Sequence, residues 1–126
     1  MKRDTFYRCK KCGNIVVKYV DGGGALSCCG EEMEFLQPNT TDAAGEKHVP
    51  DVKREGDKLI VNVGTVDHPM EDDHFIQWIY VVTKEGVLSQ CLKPGAAPHA
   101  EFCVCNQEPI AVYEYCNKHG LWKVDL

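Results

Sequence analysis

Eight cysteines constrain this chain more than any other feature, because they fall into two groups. Cys9, Cys12, Cys28 and Cys29 lie near the start, and Cys91, Cys103, Cys105 and Cys116 lie late. In a small secreted chain such a count reads as a disulfide framework, whereas in a reducing compartment it reads as metal ligands. Residues 1–8 are charged and lack the apolar stretch and small-residue cleavage site of a secretory signal, so a cytoplasmic location and metal ligation are expected. No run approaches the length of a membrane span, and no membrane partner is expected. Fourteen basic against nineteen acidic residues give a formal charge of −5 with no basic stripe, which argues against a general nucleic-acid binder.

Cys9-Lys10-Lys11-Cys12-Gly13 is a C-x-x-C turn in which two thiolates hold one ion, and Gly13 frees the backbone to bend toward sulfur. Its counterpart, Cys28-Cys29-Gly30, is an adjacent pair whose sulfurs leave the chain at an angle that distorts a regular tetrahedron. That separates the motif from an ordinary zinc ribbon. Four thiolates close a shell and leave no open position, which suits electron transfer or structural support. Soft sulfur accepts zinc, a mononuclear iron or an iron–sulfur cluster, and spacing alone does not choose among them. Residues 15–20 predict a strand and residues 21–24 a turn, so a first unit is expected over residues 1–36. A unit this small cannot stabilise itself by burial alone, which again calls for a metal.

Residues 37–45 are polar and turn-rich and predict a linker, with a second domain over residues 46–126. There, segments 59–66, 75–83, 87–92, 100–105, 110–115 and 121–124 are rich in Val, Ile and aromatics and predict strands. Helical periodicity is absent. Breaks at 85–86, 93–98 and 106–109 space the strands as an antiparallel, immunoglobulin-like β-sandwich requires, so an all-β fold is expected.

The remaining chemistry gathers at Glu46-Lys47-His48-Val49-Pro50, His68-Pro69-Met70, His74 and Glu114-Tyr115-Cys116-Asn117-Lys118-His119-Gly120. A lone histidine is ordinarily a solvated or core residue. Cys116 and His119 change that reading, because a C-x-x-H turn can chelate one ion.

Together with the C-x-x-C and adjacent C-C pairs, these segments closely resemble desulfoferrodoxin, the two-iron class of superoxide reductase, over essentially the whole chain. The resemblance implies two mononuclear non-haem irons. One sits in a desulforedoxin-like N-terminal unit on Cys9, Cys12, Cys28 and Cys29. The other has His48, His68, His74 and His119 around its equator, the Cys116 thiolate on its axis and an open sixth position when ferrous. The implied activity is one-electron reduction of superoxide to hydrogen peroxide, protecting against oxidative stress. Implied partners are superoxide, a rubredoxin-like small electron donor and a second copy in a homodimer. Lys47, beside His48, is expected to draw in the anion and organise proton delivery. Glu46 resembles the family glutamate that caps the ferric iron after turnover. Some similar proteins lack the four N-terminal cysteines, which implies that the first iron is dispensable for the chemistry.

Two rivals are a non-catalytic iron electron carrier or metal-stabilised binding module, lacking an open coordination position, and a superoxide dismutase, which releases oxygen. Cys91, Cys103 and Cys105 are expected as small apolar structural residues, with the last two sulfurs on one face. Trp78, Trp122 and Tyr115 are expected in packing, and His99 has no assigned role.

Overall fold

The computed structural model describes residues 2–41 and 43–126; Met1, expected to open the first unit, and Asp42, expected in the linker, lie outside the described residues. The chain divides into two compact units, Met1–Gln37 and Pro38–Leu126. No helix is long and apolar enough to cross a membrane among the described residues.

In the first unit, β1 (Lys2–Arg8) is the central strand, pairing antiparallel with β2 (Ile15–Asp21) on one side and β5 (Glu34–Phe35) on the other. Charge hides β1 in the sequence, since alternation is visible only in the burial of Asp4 and Phe6. Asp21 pins the end of β2 by accepting from the Gly23 N–H (2.8 Å), Lys18 Nζ (3.1 Å) and Thr5 Oγ1 (3.0 Å). These donors, the Gly23 N–H first, hold its carboxyl down at about 2. A second, two-residue ladder of β3 (Ser27–Cys28) and β4 (Glu31–Glu32) turns through Cys29 and Gly30.

The second unit opens with one helical turn, α1 (Gly45–His48), too short to leave a periodic signal in the sequence. Two antiparallel sheets follow. One runs β10 (His99–Cys103), β7 (Lys58–Val63), β6 (Pro50–Glu55); the other runs β12 (Gly120–Asp125), β11 (Pro109–Cys116), β8 (Ile76–Thr83), β9 (Val87–Cys91). This is the expected β-sandwich. Strand β6, absent from the sequence reading, is an edge strand that starts at Pro50 and carries charge, so no apolar run announces it.

Alternation builds the core. Leu59, Val61 and Val63 of β7 and Ala100 and Phe102 of β10 face Ile79 and Val81 of β8 and Val112 of β11 in one buried cluster. Each such aliphatic side chain contributes roughly 1.5–3 kcal/mol. Alternation breaks usefully beside the second donor set: Cys116 pairs with Ile76 but Tyr115 with Trp78, so a bulge at Gln77 turns both Ile76 and Ile79 into the core beside Cys116.

One expectation changes. Cys91, Cys103 and Cys105 are exposed rather than buried, because Phe102 and Val104 take the core positions and alternation turns both neighbouring sulfurs outward. The segment read as a linker is tied down at Asn39. Its N–H donates to the Leu121 carbonyl (3.0 Å), its Nδ2 to the Lys123 carbonyl (3.0 Å), and its Oδ1 accepts from the Lys123 N–H (2.8 Å).

Candidate metal centres

Within the first unit the sulfurs of Cys9, Cys12, Cys28 and Cys29 all lie within 4.8 Å of one another. Cys12 and Cys28 are 3.6 Å apart and Cys28 and Cys29 3.9 Å apart. A tetrahedron with metal–sulfur bonds of about 2.3 Å has edges of about 3.8 Å, so these sulfurs suit one ion without rearrangement. The adjacent pair has a cost: Cys29 sits at φ +52°, in the left-handed region that disfavours a side chain by roughly 1–2 kcal/mol. The backbone N–H of Cys12 leads in drawing the Cys9 thiol down to about 6, while hydrogen bonds with Cys12 and Cys28 lead in pushing Cys29 up to about 12. One thiolate is therefore welcomed and further negative charge resisted. A cation relieves that conflict.

In the second unit the donor atoms of His48, His68, His74, His119 and Cys116 likewise fall within 4.8 Å of one another. The four imidazoles form a closed cycle. Ring centroids are 4.6 Å apart for His48–His68, 4.8 Å for His68–His74, 5.0 Å for His74–His119 and 4.9 Å for His119–His48, with every neighbouring pair nearly perpendicular, between 75° and 87°. His48 Nε2 lies 3.0 Å from His68 Nε2 and 3.1 Å from His119 Nδ1. With metal–nitrogen bonds of about 2.1 Å, a right angle at an ion gives a nitrogen–nitrogen edge of about 3.0 Å, whereas a tetrahedral angle gives about 3.4 Å. The square fits.

The backbone partners of the rings argue that these contacts are not ordinary hydrogen bonds. His48 Nδ1 donates to the Ala44 carbonyl (2.8 Å) and His68 Nδ1 to the Pro69 carbonyl (2.6 Å), so each neutral ring carries its proton on Nδ1 and turns an Nε2 lone pair to the other. Two lone pairs 3.0 Å apart repel unless a cation lies between them, and a backbone carbonyl behind an imidazole is the usual orienting partner of a metal-bound histidine. His74 Nε2 is buried with no hydrogen-bond partner, which adds a third unclaimed nitrogen. Burial first, then the other imidazoles, lowers His68 to about 4 and lowers His48 and His74 as well, keeping the rings neutral donors.

Cys116 is fully buried, with Sγ 4.0 Å from His119 Nδ1. Burial pushes its thiol up, opposed by the backbone N–H groups of His119 and Lys118. Glu114 points the same way along β11 and is fully buried with neither oxygen bonded, and burial pushes its carboxyl well up. Glu46 and Lys47 are exposed on α1, just before buried His48.

Sequence reasoning missed the supports. Trp122, expected only in packing, stacks on His48 at 5.0 Å and 25° and donates from Nε1 to the His119 carbonyl (3.0 Å), touching two candidate ligands. Asn117 accepts from the Phe75 N–H (2.9 Å) and donates to the Asp73 carbonyl (3.0 Å), stapling the His74 segment to the Cys116–His119 turn. Position beside the C-x-x-H motif was the available signal. His99, left without a role, is engaged with Asn62 Oδ1 and with Glu101 (2.9 Å) and belongs to neither donor set.

Comparison with known proteins agrees with this division. Residues 2–36 match the desulfoferrodoxin N-terminal domain model and residues 40–125 the desulfoferrodoxin model. The desulfoferrodoxin of Syntrophotalea carbinolica is 50% identical over 116 residues, covering 92% of this chain and 91% of that one. Among solved structures, the superoxide reductase from Treponema pallidum superposes with a TM-score of 0.83 at 30% identity, covering 98% of this chain and 100% of that one. The one-iron superoxide reductase from Giardia intestinalis gives a TM-score of 0.54 at 37% identity, covering 64% of this chain and 99% of that one. With both parts matched in order and half the residues shared along nearly the full length of a relative, the chain belongs to the desulfoferrodoxin family.

Proposed function

We propose that this protein is a two-iron superoxide reductase, in which the histidine–cysteine centre converts superoxide to hydrogen peroxide and so protects against oxidative stress. Each superoxide takes up one electron and two protons. The observation that carries the reading is the closed square of four imidazoles with a buried cysteine sulfur beside it. Iron bound there supplies the electron, and imidazole and thiolate donors suit it. Cys9, Cys12, Cys28 and Cys29 hold the other iron, in a shell with no place for substrate.

The remaining work falls to the chain's own residues. Lys47 Nζ, exposed on α1 next to His48, attracts the anion and holds a water from which the two protons of the product are drawn, one for each oxygen. Glu46 displaces product and covers the site between turnovers. The Cys116 thiolate donates electron density, tempered by the His119 and Lys118 N–H groups that favour its charge.

The functional division we propose is a first-iron domain over 1–36, a joining segment over 37–45 and a catalytic domain over 46–126. A small rubredoxin-like protein supplies electrons, and the protein works in the cytoplasm as a homodimer. The exposed apolar side chains of edge strand β2, Val16, Val17, Tyr19 and Val20, support self-association.

Stoichiometry tests the activity. With a reduced donor and a superoxide source, one donor electron should disappear for each peroxide formed, with no oxygen released. Oxygen release without donor consumption would make the protein a dismutase. Azide should perturb the second centre's spectrum and leave the first unchanged; a silent second centre would indicate an electron carrier.

A further inference from the structure

Strand β7 ends at Val63, and the chain reverses through residues 64–67 before the His68 N–H closes on the Val63 carbonyl (3.3 Å). The same turn grips a second segment. The Val66 N–H donates to the Glu46 carbonyl (3.0 Å), and Thr65 Oγ1 donates to that same oxygen (3.3 Å). Gly64 is buried at φ +83°, and a Cβ placed on it would stand 2.5 Å from the Glu46 carbonyl oxygen and 2.7 Å from the Lys47 carbonyl carbon. Both are backbone atoms and cannot swing aside. The Glu46–Lys47 backbone therefore lies on the bare face of Gly64, closer than any side chain permits.

The segment is also fastened upstream. Asn39 makes its three backbone bonds to β12, and Thr41 Oγ1 lies 3.0 Å from where a Gly120 Cβ would stand, next to His119. A polar stretch that reads as a loose linker is thus held at Asn39 and at the Glu46 carbonyl. Neither hold involves a metal donor atom. What they fix is the backbone from which the Lys47 side chain departs.

We propose that Gly64 and Thr65 are positioning residues for superoxide reduction, holding the Glu46 carbonyl so that the Lys47 ammonium is presented beside His48. The inference rests on the role of Lys47 given above. A flexible lysine on a drifting loop spreads its charge over many places, whereas one on an anchored backbone concentrates it where the anion arrives. The turn that delivers His68 is also the turn that aims Lys47, so one element sets the distance between a candidate ligand and the charge that serves it.

A double-mutant cycle on the metal-loaded protein tests this. Gly64→Ala and Thr65→Val are made alone and with Lys47→Ala, and read by the second-order rate with superoxide and, separately, by amide exchange at Val66. We expect losses of about tenfold for Gly64→Ala and about threefold for Thr65→Val at low ionic strength, with both visible spectra unchanged in Thr65→Val. Thr65→Ser, which keeps the hydroxyl, should restore the rate. Val66 exchange should quicken in both variants, and neither should cost anything further over Lys47→Ala. Equal losses with and without Lys47 would overturn the proposal, as would unchanged Val66 exchange. Should Gly64→Ala fail to fold, Thr65→Val decides alone. If Lys47→Ala itself leaves the rate unchanged, the reading of Lys47 falls and takes this inference with it; a silent Val66 amide sinks only the inference.

Discussion

The cysteine centre sits in a unit whose buried apolar side chains, among the described residues, are Phe6, Cys9 and Met33, and three of its four cysteines are open to solvent in whole or part. The histidine centre is set against a sandwich core drawn from both sheets, and His48, His68 and Cys116 are themselves buried there. In the first unit the ligands do much of the work that a core does elsewhere, so order and metal come together. In the second, a hydrophobic core lies beside the donor set, whose rings are oriented by Ala44, Pro69 and Trp122. The four-sulfur set is largely open to solvent, whereas the second set is mostly buried and its mixed donors are oriented by their surroundings.

The largest test of this contrast is metal removal. Stripping the first centre should forfeit on the order of 10 kcal/mol of folding free energy, with amide protection lost across β1, β2 and β5 but kept in β7, β8 and β11. Protection that survived in β1 would break the comparison. Next, Trp122→Ala should cost the second unit roughly 3–5 kcal/mol in denaturant titration and weaken metal retention there, leaving the first unit unaffected.

Acid comes third. His68 has a folded pKa of about 4 against an ordinary 6.5, so between these values the unfolded chain binds more protons than the folded one. With the metal stripped from this centre, the second unit should hold its full stability above about pH 6.5 and lose on the order of 3 kcal/mol as the pH falls toward 4, read from denaturant midpoints. A midpoint that rose on acidification would show the sign to be wrong. Smallest in energy, Lys47→Ala should slow the reaction with superoxide about tenfold and flatten its salt dependence with both spectra intact. Cys29→Ser should change the first centre's spectrum and leave that rate near normal; a lost rate with the second metal retained would join the two centres functionally.

Much of this was legible in advance because the informative residues are chemically loud. The C-x-x-C and C-x-x-H turns carry their geometry in two or three residues, and the apolar runs of β7, β8 and β11 announce themselves by composition. The quiet parts were lost. Edge strand β6 is charged, α1 is a single turn, and Asn39 looks like any loop residue until β12 is folded against it. Cys103 and Cys105 were misjudged for a related reason: alternation says that two sulfurs share a face, but which face is inward depends on the opposite sheet.

The sequence by itself determined the donor inventory, the split into a sulfur-rich start and a β-rich remainder, and the order in which the histidines arrive, since these follow from residue chemistry and short-range spacing. Only the tertiary structure decided that four imidazoles close into a square, that Trp122 braces two of them, and that Gly64 carries the backbone of Lys47. His48 and His119 are 71 residues apart, and no local rule relates them. Their meeting is set by how two sheets pack, and packing is a property of the whole core.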